Sequence, residues 1–277
     1  MHWRHKTYRP NAQTFGHVNS GYLRAVFGIP EKEKQCFCSS CVKYKSHKQP
    51  LSGHDTRVYE VREEMGTDLH GPMRIQTPSH ARYLAVLVDF CTDYNYLTLT
   101  VTKSQYTTEL IKILKKINHK YGKHVIRLRI DGDGVFVNKK LKQFCNKNSI
   151  ELICTAPYSS AQNGRSERKI RTITESSLSM LDSSGLPETF WGEAAKYSNR
   201  IINILPDARG KYKTSKLDRF DPSVAHKDYL RYIRIFGCAA WVFVEVRRKG
   251  RARSQSSHML FVGTGRFQNG VPVVQFC

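Results

Sequence analysis

The feature that most constrains the fold of this chain is an alternation of two hydrophobic periodicities between residues 61 and 205. Strand-like patterns occur at 83–90, 94–102, 124–130 and 151–156. Helix-like patterns occur at 106–122, at 139–150, in a long segment that contains residue 167, and at 187–205. Strands that alternate with helices in this way predict an α/β domain built around a mixed sheet.

The two flanks of this domain have different patterns. Residues 1 to 60 are polar and rich in His, Cys and Lys, and they contain too few apolar residues to fold without a staple such as a metal ion. Residues 206–223 look like a polar linker, and short strand patterns follow at 232–246, 258–265 and 271–276. The sequence therefore predicts three parts, with boundaries 1–60, 61–225 and 226–277.

The charge of the chain predicts a polyanionic partner. There are 45 Lys and Arg residues against 23 Asp and Glu residues, which gives a formal net charge of +22, and nucleic acid is the first candidate. No apolar run approaches the ~20 residues of a membrane span, and the N-terminus lacks the hydrophobic segment of a signal peptide. We therefore expect a soluble intracellular protein that does not contact a membrane. Three of the eight cysteines cluster in CFCSSC, which suits a reducing compartment and one metal site.

One acid lies among four bases in the segment QNGRSERKIR. A helical projection at about 100° per residue places Glu167 on the apolar stripe, whereas Arg165, Arg168 and Lys169 project away from it. A carboxylate that points inward needs a cation. That cation could be Arg171, one turn further along the helix, or a metal ion shared with other acids.

Two other acids occupy positions where a reactive carboxylate could lie. Asp131 directly follows the strand-like segment 124–130, and Asp68 precedes a Gly-Pro turn. Taken singly, each could equally be a turn residue that bonds to its own backbone.

The segments around these acids resemble a known family. TDLHGPM contains Asp68, LRIDGDGVF contains Asp131, and APYSSAQNGRSERKIRT contains Glu167, with 35 residues between the last two acids. This arrangement resembles the D, D-x35-E triad of retroviral-type integrases, in particular that of copia-type LTR retrotransposons. FWGEAAKYSNRIINILP and LRYIRIFGCAAWV follow in the family's order, so the resemblance covers almost the whole chain. It implies a fragment of a Pol polyprotein from a decayed element.

The resemblance implies an RNase H-like core between a zinc-module remnant and an SH3-like β module. The implied activity is 3′-end processing and strand transfer of element cDNA into host DNA, with cDNA ends, target DNA and further copies of the chain as partners. Asp68, Asp131 and Glu167 would hold two Mg²⁺ or Mn²⁺ ions about 3.5–4 Å apart, since hard oxygen ligands suit these ions. The implied location is a cytoplasmic virus-like particle and then the nucleus.

Two basic groups are expected to bind DNA phosphates without sequence preference. The first is Arg165, Arg168, Lys169 and Arg171, and the second is Arg247, Arg248, Lys249, Arg251 and Arg253. For the second group a solvated charged loop is an equally simple interpretation.

The chain also departs from the family pattern after the second acid. The family reads D-N-G-G-E-F, whereas Asp131 is followed here by Gly-Asp-Gly-Val-Phe. Asp133 is thus an alternative ligand, although its spacing to Glu167 is two residues short. We interpret Asp89 and Asp93 as structural residues.

The segment CSSCVKYKSHKQPL resembles half of the family's HHCC zinc module, with Cys38 and Cys41 as ligands. When the family's W-H-x-R-L-G-H-P-N pattern is aligned on Trp3, Arg4 and Arg9 occupy the histidine positions. Zinc binding is therefore expected to be weak. Candidate replacement ligands are Cys36, as a third thiolate, and four histidines that are otherwise expected to be solvated surface residues: His2, His5, His17 and His47.

Two alternatives to an integrase remain. One is a catalytically dead DNA-binding relic of the same element, suggested by the damaged zinc module. The other is a nuclease of the same fold that acts on RNA–DNA hybrids. The presence of all three acids favours chemistry over the relic.

Overall fold

The computed structural model describes most of the chain between residues 57 and 276 and parts of the N-terminal region. The described residues are 15, 17–18, 21, 25–26, 28, 38–45, 57–122, 125–130, 138–154, 160–208, 211, 213–224, 229–230, 232–248, 251–268 and 271–276. Of these, the side chains of 160–163, 242–248, 251–258, 264–268 and 271–276 are not described. Several sequence-predicted residues lie outside the described part: His2, Arg4, His5, Arg9, Cys36, His47, Asp131, Asp133 and Lys249.

A five-stranded mixed sheet forms the centre of the molecule, as the alternating pattern predicts. Its strands are β1 Glu64–His70, β2 Tyr83–Asp89, β3 Asn95–Thr100, β4 Arg127–Ile130 and β5 Glu151–Cys154. The spatial order is β3-β2-β1-β4-β5. The pairs β1–β2 and β2–β3 are antiparallel, whereas β1–β4 and β4–β5 are parallel.

Six α-helices accompany the two sheets within the described residues. They are α1 Ser39–Lys45, α2 Lys103–Tyr121, α3 Lys139–Lys147, α4 Ser160–Ser184, α5 Trp191–Ile204 and α6 Lys216–Phe220. The start of α2 has a capping box between Thr102 and Gln105, and the helix ends at Gly122, whose φ of 62° is left-handed. No helix in the described part of the chain is both long and apolar enough to cross a bilayer.

Alternation along β2 separates two hydrophobic clusters on the two faces of the sheet. Ala85 and Leu87 join the cluster that contains α2 and α3, whereas Leu84, Val86 and Val88 join the cluster that contains α4 and α5. The sheet is thus covered by helices on both faces, which explains why β2 reads as a nearly continuous apolar run.

The predicted linker at 206–223 is wrong, because this segment belongs to the core. It contains α6, whose capping box joins Ser215 and Asp218. Phe220, at the end of α6, is buried and stacks on Tyr94 with 4.5 Å between ring centroids. One buried aromatic anchors a segment that is otherwise polar, and a composition argument cannot detect this.

A second, antiparallel sheet lies at the C-terminal end. It has the order β6-β7-β8, with β6 Ala239–Arg248, β7 Arg251–Gln268 and β8 Val271–Phe276. The predicted small all-β part is confirmed in its strands, but β7 is longer than expected because it pairs with β6 along its first part and with β8 along its second. Phe261 and Val262 share a hydrophobic cluster with Tyr197 of α5, so this sheet contacts the central domain.

Candidate active site and metal centre

Asp68 lies near the end of β1 on the face of the sheet that α4 covers. Residues two apart on a strand share a face, so Asp68 lies on the same side as Gly66. Their partners on β2 are Val86 and Val88, which belong to the hydrophobic cluster beneath α4 and α5. Asp68 itself is half-buried.

Helix α4 approaches β1 closely at Gly66. A Cβ atom added to Gly66 would lie 2.6 Å from the Phe90 ring and 2.8 Å from Oγ of Ser166, so only glycine permits this contact. Gly66 is two residues before Asp68, and Ser166 directly precedes Glu167. The structure therefore brings the strand that carries the first predicted acid against the part of the helix that carries the third.

The inward orientation predicted for Glu167 is wrong, because this residue is exposed. The buried stripe of α4 includes Ser166, Ile170, Ile173 and Met180. Glu167 lies about 100° around the helix from Ser166, just beside the stripe rather than on it. The projection placed Glu167 between Leu178 and Leu181, which lie three to four turns further along the helix, and small errors in helical period accumulate over that distance. The exposed carboxylate of Glu167 is accessible to a dissolved cation. Because it is not buried, it does not need a cation to balance its charge.

Two of the four bases on α4 are also not where the projection placed them. Lys169 is only 8% exposed, and its Nζ lies 3.0 Å from Oδ2 of Asp93. Arg165 is half-buried and donates from its guanidinium to the backbone carbonyl of Phe90 at 2.7 Å. Arg168 and Arg171 are exposed, as predicted.

The structural roles predicted for Asp89 and Asp93 are confirmed. Asp89 is fully buried, and its Oδ2 accepts hydrogen bonds from the backbone N–H and the hydroxyl of Thr92 at 2.8 and 2.7 Å. Burial raises the pKa of the Asp89 carboxyl, while the hydrogen bonds from Thr92 and the backbone of Arg62 act in the opposite direction. Asp93 adopts a left-handed φ of 65° and forms the ion pair with Lys169.

A buried ion-pair group that the sequence did not reveal joins β1 to β4. Glu64 is fully buried and accepts hydrogen bonds from Nε of Arg127 at 3.0 Å and from Nε of Arg129 at 2.9 Å. In the same parallel pairing Thr67 is the partner of Ile130. The residue before Asp68 is thus paired with the residue that precedes Asp131 in the chain.

A second cluster of potential ligands lies near the N-terminus. The ligand atoms of His17, Cys38 and Cys41 all lie within 4.8 Å of one another, and within the described residues the group has these three members. Nδ1 of His17 is 3.2 Å from Sγ of Cys38 and 3.4 Å from Sγ of Cys41.

The expectation that His17 is a solvated surface residue is therefore wrong, because its side chain is buried. A signal for this was present in the sequence. Residues 15–19 read FGHVN, which agrees with the L-G-H-P-N end of the family pattern at Gly, His and Asn, but the alignment on Trp3 concealed this agreement.

The protonation chemistry of this cluster fits a metal centre. Burial, aided by the charge of Lys45, lowers the pKa of His17 to about 4, so its imidazole is neutral near pH 7. Burial and a hydrogen bond with Cys38 raise the pKa of Cys41 to about 11, so a thiolate there needs a compensating cation. Two sulfur atoms and one imidazole nitrogen at these separations suit tetrahedral Zn²⁺, whose bonds measure about 2.3 Å to sulfur and 2.0–2.1 Å to nitrogen.

The chain has sequence relatives among transposon polyproteins. No family model matches the chain. It is 25% identical over 228 residues, 82% of its length, to the retrovirus-related Pol polyprotein from transposon TNT 1-94 of Nicotiana tabacum. It is 24% identical over 94% of its length to the corresponding polyprotein from transposon RE2 of Arabidopsis thaliana. The transposon Ty1-LR3 Gag-Pol polyprotein of Saccharomyces cerevisiae is 25% identical over 65% of the chain.

The chain spans only a small part of these relatives, 17% of each plant polyprotein and 10% of the yeast one. Among solved structures it resembles a chain of the simian T-cell lymphotropic virus intasome in complex with PP2A regulatory subunit B56 gamma. That match has a TM-score of 0.48 and 14% identity, and it covers 81% of this chain and 80% of the other. By its sequence similarities, the chain is a homologue of retrovirus-related Pol polyproteins from copia-type transposons.

Proposed function

We propose that the chain is the integrase part of a copia-type Pol polyprotein, with an RNase H-like core that processes cDNA ends and joins them to target DNA. The observation that carries this proposal is the contact between Gly66 of β1 and Ser166 of α4. It brings Asp68 and Glu167, from distant parts of the sequence, to the same face of the sheet.

The third acid of the proposed site is Asp131, which lies outside the described residues. Its chain neighbour Ile130 is the last residue of β4 and pairs in parallel with Thr67. We propose Asp131 as the third ligand because it directly follows β4, whose last residue pairs with the residue before Asp68.

The three carboxylates fit the chemistry that this reaction requires. Hard oxygen donors favour Mg²⁺ or Mn²⁺, and the exposure of Glu167 gives a cation access from solvent. When bound, two such ions activate the attacking hydroxyl and stabilise the leaving oxygen of an in-line displacement. Asp68, Asp131 and Glu167 would hold the ions and orient them toward the phosphodiester.

The exposed bases of α4 would hold the DNA beside these acids. Arg168 and Arg171 are both exposed on the helix that carries Glu167, so they can reach phosphates and fix the position of the strand without reading its sequence. Lys169 is excluded from this role because it is buried against Asp93. Arg165, bound to the Phe90 carbonyl, serves mainly to attach α4 to the sheet.

A second DNA contact is proposed for the C-terminal sheet, which we assign to the SH3-like module. In the β6–β7 ladder Arg248 is paired with Arg251, and Val246 is paired with Arg253. Paired residues and residues two apart share a face, so three arginine positions lie on one face of the ribbon. Arg247 is at a register position on the opposite face. Such a ribbon suits non-specific phosphate binding.

The cluster of His17, Cys38 and Cys41 is proposed to bind Zn²⁺, with a fourth ligand from solvent or from outside the described residues. Three donors replace the two that the sequence indicated, so we expect tighter binding than two thiolates alone provide. The ion would supply folding free energy to a segment with few apolar residues.

The remaining assignments depend on the integrase proposal. They are the boundaries 1–60, 61–225 and 226–277, assembly with further copies of the chain, and a location first in virus-like particles and then in the nucleus.

A strand-transfer assay tests the proposed function. Purified protein, a duplex that models the cDNA end, and supercoiled plasmid would be incubated with Mg²⁺ or with a chelator. We expect joined products only with the metal. Normal DNA binding without joined products in Mg²⁺ or Mn²⁺ would instead indicate the DNA-binding relic. Cleavage of RNA–DNA hybrids without joining would indicate the nuclease.

A further inference from the structure

The C-terminal end of α4 contacts the segment that carries the His–Cys cluster. Oγ of Ser183 lies 3.0 Å from Nε2 of His17 and donates to Oγ of Ser40 at 3.2 Å. Oγ of Ser40 in turn donates to Oδ2 of Asp182 at 2.5 Å. These contacts join residues more than 140 positions apart in the sequence.

The two ring nitrogens of His17 face different partners. Nδ1 faces the two cysteine sulfur atoms at 3.2 and 3.4 Å, while Nε2 faces the Ser183 hydroxyl. A hydrogen bond at the second nitrogen of a metal-binding histidine fixes its tautomer and ring orientation. Because the Ser183 hydroxyl donates its hydrogen to Ser40, Nε2–H of His17 is the donor in the contact with Ser183. Nδ1 is then the unprotonated nitrogen that a metal ion requires.

The Cys-x2-Cys segment has its own contacts with α4. Ser40, which bonds to Asp182, lies between Cys38 and Cys41 in the sequence and is buried. Nζ of Lys43 lies 3.1 Å from the other carboxylate oxygen of Asp182. The histidine and the cysteine segment therefore reach the same turn of α4 by separate contacts.

We propose that Ser183 is the outer-sphere partner of the metal-binding histidine, and that zinc uptake at His17, Cys38 and Cys41 fastens this segment to the end of the helix that carries Glu167. This rests on the zinc assignment made above. Ser183 is a positioning residue, because it acts on the ion only through the imidazole. The metal thereby connects the N-terminal segment to a helix of the catalytic domain.

The first test measures zinc affinity in the full chain. Zinc alone would be titrated in competition with a chromophoric chelator, into the unmodified protein and into Ser183→Ala. Loss of an outer-sphere partner should weaken zinc binding about 10-fold. The matched control is Ser179→Ala, on the same helix, whose hydroxyl donates to the carbonyl of Glu175 within the helix. This control should bind zinc as the unmodified chain does.

The second test follows hydrogen exchange with and without zinc. In the unmodified chain, zinc should slow amide exchange both in α1 and in the last turn of α4. In Ser183→Ala the slowing in α4 should be reduced, because the link through His17 is gone while the contacts of Ser40 and Lys43 with Asp182 remain.

The outcomes separate this inference from the proposals on which it rests. Equal zinc affinities for Ser183→Ala and the unmodified chain would overturn the coupling alone. An unmodified chain that takes up no zinc would overturn both the coupling and the zinc assignment. A normal zinc response in a protein without strand-transfer activity would support the coupling and count only against the integrase function.

Discussion

At the scale of single residues, exposure decides which charges can act on a ligand. Glu167 and Arg168 are exposed and adjacent, whereas Lys169, the next residue, is buried in an ion pair with Asp93. An exposed pair between Glu167 and Arg171 would contribute only about 0.2–0.5 kcal/mol. Such a pair would therefore stabilise the fold only slightly, and the ligand role proposed for Glu167 is tested separately below.

The first prediction separates the two neighbouring bases of α4. Arg168→Ala should weaken DNA binding similarly for all sequences and lower the log–log salt slope by about one for each lost phosphate contact. Lys169→Ala should leave that slope unchanged but destabilise the fold by about 1–3 kcal/mol, because the buried ion pair with Asp93 is lost. DNA affinity at several salt concentrations and denaturant unfolding measure the two effects. A larger salt effect from Lys169→Ala than from Arg168→Ala would contradict the assignment.

The second prediction concerns the pH dependence of Lys216. Burial, aided by the nearby charge of Lys169, lowers the pKa of Lys216 from 10.5 to about 8. Between pH 8 and 10.5 the lysine at position 216 binds a proton more readily in the unfolded chain than in the folded chain. The free energy of unfolding therefore rises with pH through this range, and below it the buried Lys216 destabilises the fold.

Lys216→Met removes this titration. We compare the free energy of unfolding of Lys216→Met with that of the unmodified chain by urea unfolding at each pH. The value for Lys216→Met minus the value for the unmodified chain should become smaller between pH 7.5 and 10. The comparison cancels the titration of groups that do not interact with Lys216. A difference between the two proteins that does not change with pH would count against a depressed pKa.

At the scale of secondary-structure elements, the site depends on how closely α4 lies against β1. The third prediction is that Gly66→Ala disturbs this contact, because the new methyl group meets Phe90 at 2.6 Å and Ser166 at 2.8 Å. Overpacking of this kind costs about 1–3 kcal/mol, and the shift of α4 should also abolish strand transfer. Thermal unfolding and the transfer assay report the two effects.

Gly164→Ala is the matched control for Gly66→Ala. Its Cβ would meet only the flexible end of the Arg168 side chain at 3.1 Å, so stability and activity should be nearly unchanged. If Gly66→Ala behaves like Gly164→Ala, the close contact does not determine the site.

The elements of the central domain could be predicted from the sequence because their signals are local. The nearly continuous apolar run in 83–90 and the helical period in 106–122 each lie within one segment. By contrast, the burial of Phe220 depends on Tyr94, and that of His17 depends on Ser183, far away in the chain. The exposure of Glu167 depends on where β1 meets α4. These features follow from packing between segments, which local periodicity does not specify.

At the scale of the whole molecule, α4 connects the N-terminal cluster to the central sheet, and α5 connects the sheet to the C-terminal strands. A chain with a net charge of +22 can bind DNA over much of its surface, whereas the contact of β1 with α4, beside Asp68 and Glu167, lies on one face of the sheet. The zinc site is the proposed staple for the end of the molecule that has the fewest apolar residues.

The fourth prediction is that the chain retains about one equivalent of zinc through dialysis against a mild chelator. Cys41→Ser should lose this zinc. Cys154→Ser, which changes an exposed free cysteine outside the cluster, should keep it. Metal content by atomic spectrometry measures the difference. Equal zinc in the two variants would show that the cluster does not hold the ion.

The most direct test of the central claim is Mg²⁺-dependent strand transfer by variants of the three acids. Asp68→Asn, Asp131→Asn and Glu167→Gln each keep the side-chain shape but remove an anionic ligand. Each should abolish transfer while DNA binding stays nearly intact, whereas Asp133→Asn should be much milder because its interval to Glu167 is two residues short. Wild-type transfer by Glu167→Gln would contradict the account, and an ion pair with Arg171 would then better explain this acid.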